Sequence, residues 1–172
     1  MDNIIDYTSE EEDQSFEEKD RDGEHILVSL TYIGKNTKKD DGVGLTRILE
    51  KWRRDNEKSD ITSALVINDN YLIQNLEGSR PVINEVLAKL INDYSHITPH
   101  VINVDEVEGR KWEGFLFKYL TPSVQDEEYT LKNFSARADV NPYLMKKTQM
   151  VGLIVAIFEE EDLTTSQDSD IN

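Results

Sequence analysis

The sequence predicts an α+β fold: a ferredoxin-like βαββαββ sandwich, with C-terminal helices covering the second face of its sheet. Three observations predict it. Short runs rich in β-branched and aromatic residues alternate with two stretches whose apolar residues recur at helical spacing. Turn-forming residues separate these runs. A last apolar segment, opened by Asn141 and Pro142, supplies the layer that the sheet's remaining face needs.

Taken in order, the stretch from Ile26 to Ile33 reads as a buried strand. A polar loop follows over residues 34–42. Leu45, Ile48, Leu49 and Trp52 then fall on one helical face, giving a helix to about Asn56. Residues 61–67 and 71–76 form a hairpin around Asn68-Asp69-Asn70, whose side chains suit a tight turn. Glu77-Gly78-Ser79 is expected to turn the chain, and Pro81 fits the first turn of a second helix. Val82, Val86, Leu87 and Leu90 give that helix its apolar face. Residues 100–107 and 112–120 read as two more strands, joined through Gly109. The final helix runs to about Phe158 and is apolar nearly all round from Met150 onward, as a buried helix would be.

Charge divides the chain. The formal net charge is -16, from 19 basic and 35 acidic residues. Residues 1–25 carry 11 acids and two bases, residues 159–172 carry six acids and no base, and the body between is close to neutral. The expected organisation is therefore an acidic disordered arm over 1–25, a folded domain over 26–121, cover helices over 122–158 and an acidic disordered tail over 159–172. Such a field repels polyanions, so nucleic acid is excluded as a partner. The basic residues of the first helix, among them Arg47, Arg53 and Arg54, read as a solvated face. There is no cysteine, which removes disulfides and thiolate chemistry. No apolar run approaches the ~20 residues of a membrane span, and no membrane partner is expected. The expected location is cytoplasmic.

The common catalytic patterns are missing. His25, His96 and His100 have no metal-ligand spacing, and no nucleophile elbow, P-loop or dinucleotide fingerprint occurs. The unusual residues are polar ones in apolar surroundings. Gln74 shares a strand face with Leu72 and Leu76, and Tyr32 shares one with Leu30. A buried carboxamide needs partners for its carbonyl and both amide protons. Periodicity leaves two readings open: a Tyr–Gln pair that satisfies itself in the core, or a ligand site.

Five segments in register resemble one family, the BLUF flavin photosensors. Leu30-Thr31-Tyr32-Ile33-Gly34 is similar to the L-x-Y-x-S of the first strand. The run from Asn56 through Ile61-Thr62-Ser63 is similar to N-x-x-x-x-I-T-G. Leu72-Ile73-Gln74-Asn75-Leu76-Glu77-Gly78 is similar to F-L-Q-x-L-E-G, and Asp93-Tyr94-Ser95-His96 to D-x-R-H. Residues 110–117 are similar to R-x-F-x-x-W-x-M. The resemblance implies a blue-light photoreceptor without enzymatic activity that binds FAD, with FMN as the other flavin such a site could take. It implies Tyr32 and Gln74 as the photochemical pair. It also implies Asn56, Tyr32, Gln74, Asp93 and His96 as cofactor-binding residues, and Phe115 and Phe117 on the signalling strand. Signalling would pass to an effector protein on another chain, with homo-oligomer formation also implied. The sequence departs from the pattern at Gly34, Ser63, Ser95, Phe115 and Phe117. These departures motivate a competing expectation, an interaction protein of the same fold that has lost its flavin and fills the space between its helices with side chains.

Overall fold

The computed structural model describes residues 22–120 and 141–167, with side chains through Glu159. The elements are β1 (Leu27–Lys35), α1 (Gly42–Lys58), β2 (Thr62–Ile67), β3 (Tyr71–Ser79), α2 (Arg80–Asn92), β4 (His100–Glu106), β5 (Phe115–Tyr119) and α3 (Lys147–Gln167). The strands form one sheet in the order β4-β1-β3-β2-β5. All neighbours are antiparallel except β5, which runs parallel to β2. This is the expected ferredoxin-like order with one added strand.

Alternation along the strands makes two cores. Val28, Leu30, Tyr32, Leu65, Ile67, Leu72 and Leu76 face α1 and α2. Ile33, Ala64, Val66 and Ile73 face the other way, against Leu153, Ile154 and Ile157 of α3. A 3-10 turn at Pro142–Leu144 leads into α3, capped by Asn141 through the Tyr143 amide. The ion pair of Lys147 with Asp105 ties the start of α3 to β4.

Three local expectations are corrected. Glu77-Gly78-Ser79 does not turn the chain; it extends β3 and pairs with Ser29, Val28 and Leu27. Gly78 serves packing there, since a Cβ would stand 3.3 Å from Ile61 and 3.4 Å from Ile83. The last strand starts at Phe115 rather than Trp112, because Gly114 sits at φ +74 and breaks the extended run. The segment 107–114 is instead a strap that crosses the end of the sheet from β4 at one edge to β5 at the other. Finally, α3 continues past Phe158 to Gln167, as residues 159–167 contain neither glycine nor proline to stop it. The arm over 1–21, the segment 121–140 and residues 168–172 lie outside the described residues.

The end of α1 positions the site. Asp60 adopts φ 53, the Asp60 amide bonds the Glu57 carbonyl at 3.3 Å, and the Ile61 amide bonds the Asn56 carbonyl at 2.8 Å. This is a Schellman closure with aspartate in the usual glycine place. Arg110 holds the strained residue by donating to the Asp60 carbonyl at 2.8 Å and to its carboxylate at 3.1 Å. The closure turns the chain straight into β2, so Asn56 and Ser63 become neighbours.

Candidate functional site

A cleft opens between α1 and α2 over the middle of the sheet. Trp52, Asp55 and Asn56 line it from α1 with Ser59 at the C-cap, at one-turn spacing, and Val82, Glu85, Val86, Lys89 and Leu90 from α2. Tyr32 of β1 and Gln74 of β3 are directly paired across the ladder and both line the cleft. Ile61, Leu76 and Tyr94 complete its wall. A cleft of about 80 Å³ stays open between the helices, where the competing expectation has side chains.

The polar floor is a connected set. The Tyr32 hydroxyl donates to Gln74 Oε1 at 2.6 Å. Gln74 Nε2 donates to Ser63 Oγ at a long 3.4 Å, and Asn56 Nδ2 donates to the same oxygen at 3.2 Å. All four residues are buried. Burial pushes the Tyr32 phenol far above its ordinary pKa, and Tyr94 adds to the effect. The phenol is therefore neutral and remains a donor. Gln74 keeps two amide protons beside one long contact, so its donor capacity exceeds what its neighbours use.

The structure brings Tyr32, Gln74 and Asn56 together as the sequence predicts, and leaves the other predicted residues apart. Asp93 is the exposed C-cap of α2 and does not line the cleft. His96 is exposed on the 3-10 turn Ser95–Ile97 and lines a smaller, adjoining cleft with Leu45 and Ile48 that shares Trp52 and Tyr94 with the first. The helix ends at Asn92, and the turn that follows holds His96. Phe115 and Phe117 also lie off the cleft. Phe115 lines a neighbouring one beside Asn56 and Ile61, and Phe117 is 38% exposed.

Sequence reasoning missed two aromatic walls. Trp52 Nε1 donates to the Tyr94 hydroxyl at 3.1 Å, with ring centroids 5.6 Å apart in an edge-on arrangement. Trp52 lies one helical turn before Asn56, which is the sequence signal that could have placed it on the site. Tyr94 had no such signal, because its position depends on the turn after α2. Gly34, where the family pattern has serine, has a structural cause: a Cβ there would lie 3.2 Å from the Ile97 carbonyl.

The residues fit the ring system of a flavin. Its polar edge alternates carbonyl and N–H groups, and two adjacent carboxamides offer matching donors and acceptors. Apolar and aromatic side chains provide the walls. Lys89 is the cation lining the cleft among the described residues, against Asp55 and Glu85. Among the described residues no group of carboxylates and histidines could hold a metal ion, and no helix is long and apolar enough to cross a membrane.

Comparison with known proteins agrees with this geometry. The BLUF model, described as sensors of blue-light using FAD, matches residues 27–118, more than half of the chain. The photo-activated state of BlsA is 19% identical with a TM-score of 0.62, over 74% of this chain and 91% of that one. The dark state of BlrB, a BLUF protein, is 19% identical with a TM-score of 0.57, over 77% and 96%. A bacterial light-regulated adenylyl cyclase is 18% identical with a TM-score of 0.53, over 62% of this chain but 33% of that one. No curated protein matches the chain. With its fold, its cleft and this match in agreement, the chain belongs to the BLUF family of flavin-binding blue-light sensors.

Proposed function

We propose that this protein senses blue light with a flavin held between α1 and α2, that Tyr32 and Gln74 are its photochemical pair, and that Asn56 anchors the ring. The observation that carries the reading is the 2.6 Å bond from a buried neutral phenol to a carboxamide with donor capacity to spare, on the floor of a cleft walled by aromatics. When bound, the flavin supplies an excited state that takes up an electron and a proton reversibly. Tyr32 holds the mobile proton at its hydroxyl and shares it with Gln74 Oε1. Gln74 has a donor end and an acceptor end, so it can reverse its hydrogen bonds without chemical change. Asn56 and Gln74 would hold the polar edge of the ring, with Trp52, Tyr94, Leu76 and Val86 against its faces. FAD is the proposed cofactor, with Lys89 available to its phosphates. Asp93 and His96, outside the cleft lining, would serve the cofactor only beyond its ring.

The output is a bias in conformation rather than a product, delivered to a separate effector protein. Phe115 and Phe117 are the proposed route, the first beside Asn56 and the second exposed on the same strand. The test is absorption spectroscopy of the flavin-loaded protein in darkness and under blue light. A reversible red shift is expected in the wild type and no shift in Tyr32→Phe or Gln74→Leu. A protein that retains no flavin, or either variant with an unaltered photocycle, overturns the assignment.

A further inference from the structure

Ser63 is fully buried, and its hydroxyl oxygen accepts from both carboxamides of the site, Asn56 Nδ2 at 3.2 Å and Gln74 Nε2 at 3.4 Å. It stands on the cleft face of β2, in the same alternation as Leu65 and Ile67. Both lone pairs of the hydroxyl are thus engaged, and among the described residues no hydrogen bond uses its own proton.

We infer that Ser63 is a positioning residue for the Gln74 side chain, built to satisfy that amide in both of its orientations. A half-turn about the last side-chain bond of Gln74 exchanges Oε1 with Nε2. Oε1 then faces Ser63, which donates its free proton to it, while Nε2 faces the Tyr32 oxygen, which accepts. A hydroxyl serves both states because it is donor and acceptor alike. Alanine or glycine at 63 serves neither. The loss is unequal. The bond in the present orientation is long and weak, whereas the reversed orientation would leave a buried carbonyl without a donor. Ser63 therefore lengthens the life of the rotated, light-driven state.

The inference rests on the flavin-sensor reading, and its test separates the two. Flavin-loaded wild type, Ser63→Ala, Ser63→Gly and Ser63→Thr are illuminated, and the thermal return of the red-shifted spectrum is timed. Ser63→Ala and Ser63→Gly should return about threefold to tenfold faster, the range expected for one buried hydrogen bond. Ser63→Thr, which keeps the hydroxyl, should restore the slow return. Infrared difference spectra with isotope-labelled glutamine should place the lit-state Gln74 carbonyl at higher frequency in Ser63→Ala. A merely structural role would not move that band. A wild type that cycles beside a Ser63→Ala with the same return rate and carbonyl band overturns this inference and spares the sensor reading. A wild type with no light-induced shift overturns both.

Discussion

The two faces of β3 carry buried polar residues of the same kinds and treat them differently. On the cleft side, Gln74 makes one short bond and one long one. On the α3 side, one residue further along, Asn75 donates to Ser29 Oγ at 2.9 Å and Thr31 Oγ1 at 2.8 Å and accepts from Trp112 Nε1 at 2.7 Å. Two residues beyond, the buried Glu77 carboxylate accepts from the Lys111 amide at 2.9 and 3.0 Å, the Trp112 amide at 3.3 Å and the Thr62 hydroxyl at 3.2 Å. The α3 face spends its polar groups on holding the strap 107–114. The cleft face keeps amide capacity in reserve. Full use of the polar groups on the α3 face and spare amide capacity beside the cleft are what the proposed ligand site would need.

The largest expected effect tests the α3 side. Glu77→Ala strips two strap amides and the Thr62 hydroxyl of their acceptor, and should lower unfolding free energy in urea by about 3 kcal/mol or more. If Gln74→Leu costs as much, the contrast between the faces fails. Trp112→Phe keeps an aromatic ring, though a smaller one, but leaves Asn75 Oδ1 without its donor, so a loss of about 1–3 kcal/mol is expected. Its edge-on contact with Phe158, at 6.1 Å between centroids, should survive, and the light-induced spectral shift should be unchanged.

The smallest effect sharpens the cleft side. The folded Tyr32 phenol titrates above its unfolded value of 10.0, so the folded state holds a proton that the unfolded state has released. The stabilisation is complete below pH 10 and is lost as pH rises towards the folded value. The slope for this one group is about 1.4 kcal/mol per pH unit. Urea denaturation of wild type and Tyr32→Phe between pH 9 and 11 should show curves that run parallel below pH 10 and converge above it.

Much of this was legible beforehand. The β-branched runs located all five strands, and Asn141-Pro142 located the entry to the covering layer. The trio of Tyr32, Gln74 and Asn56 was legible because two of them sit among alternating apolar residues. What was hidden depended on distant parts of the chain. Glu77-Gly78-Ser79 has the composition of a turn, yet its partners are Leu27–Ser29 on one side and Lys111 and Trp112 on the other, so tertiary context overrides propensity. Asp93 and His96 lie outside the cleft lining, beyond a helix stop and in a 3-10 turn that periodicity does not reveal. Trp112 reads as the first residue of a strand, and only the left-handed Gly114 makes it the anchor of a strap.

The sheet order has a consequence for how the protein comes into being. Every residue lining the cleft lies between Tyr32 and Tyr94. The strap begins at residue 107, β5 must find a partner 52 residues behind it, as Phe115 pairs with Ser63, and the covering helix starts at Lys147. A ribosome therefore releases all the walls of the cleft before it has made the strap or the layer that covers the opposite face. The cleft is the older part of each new chain, and the helix on the sheet's other face emerges after it.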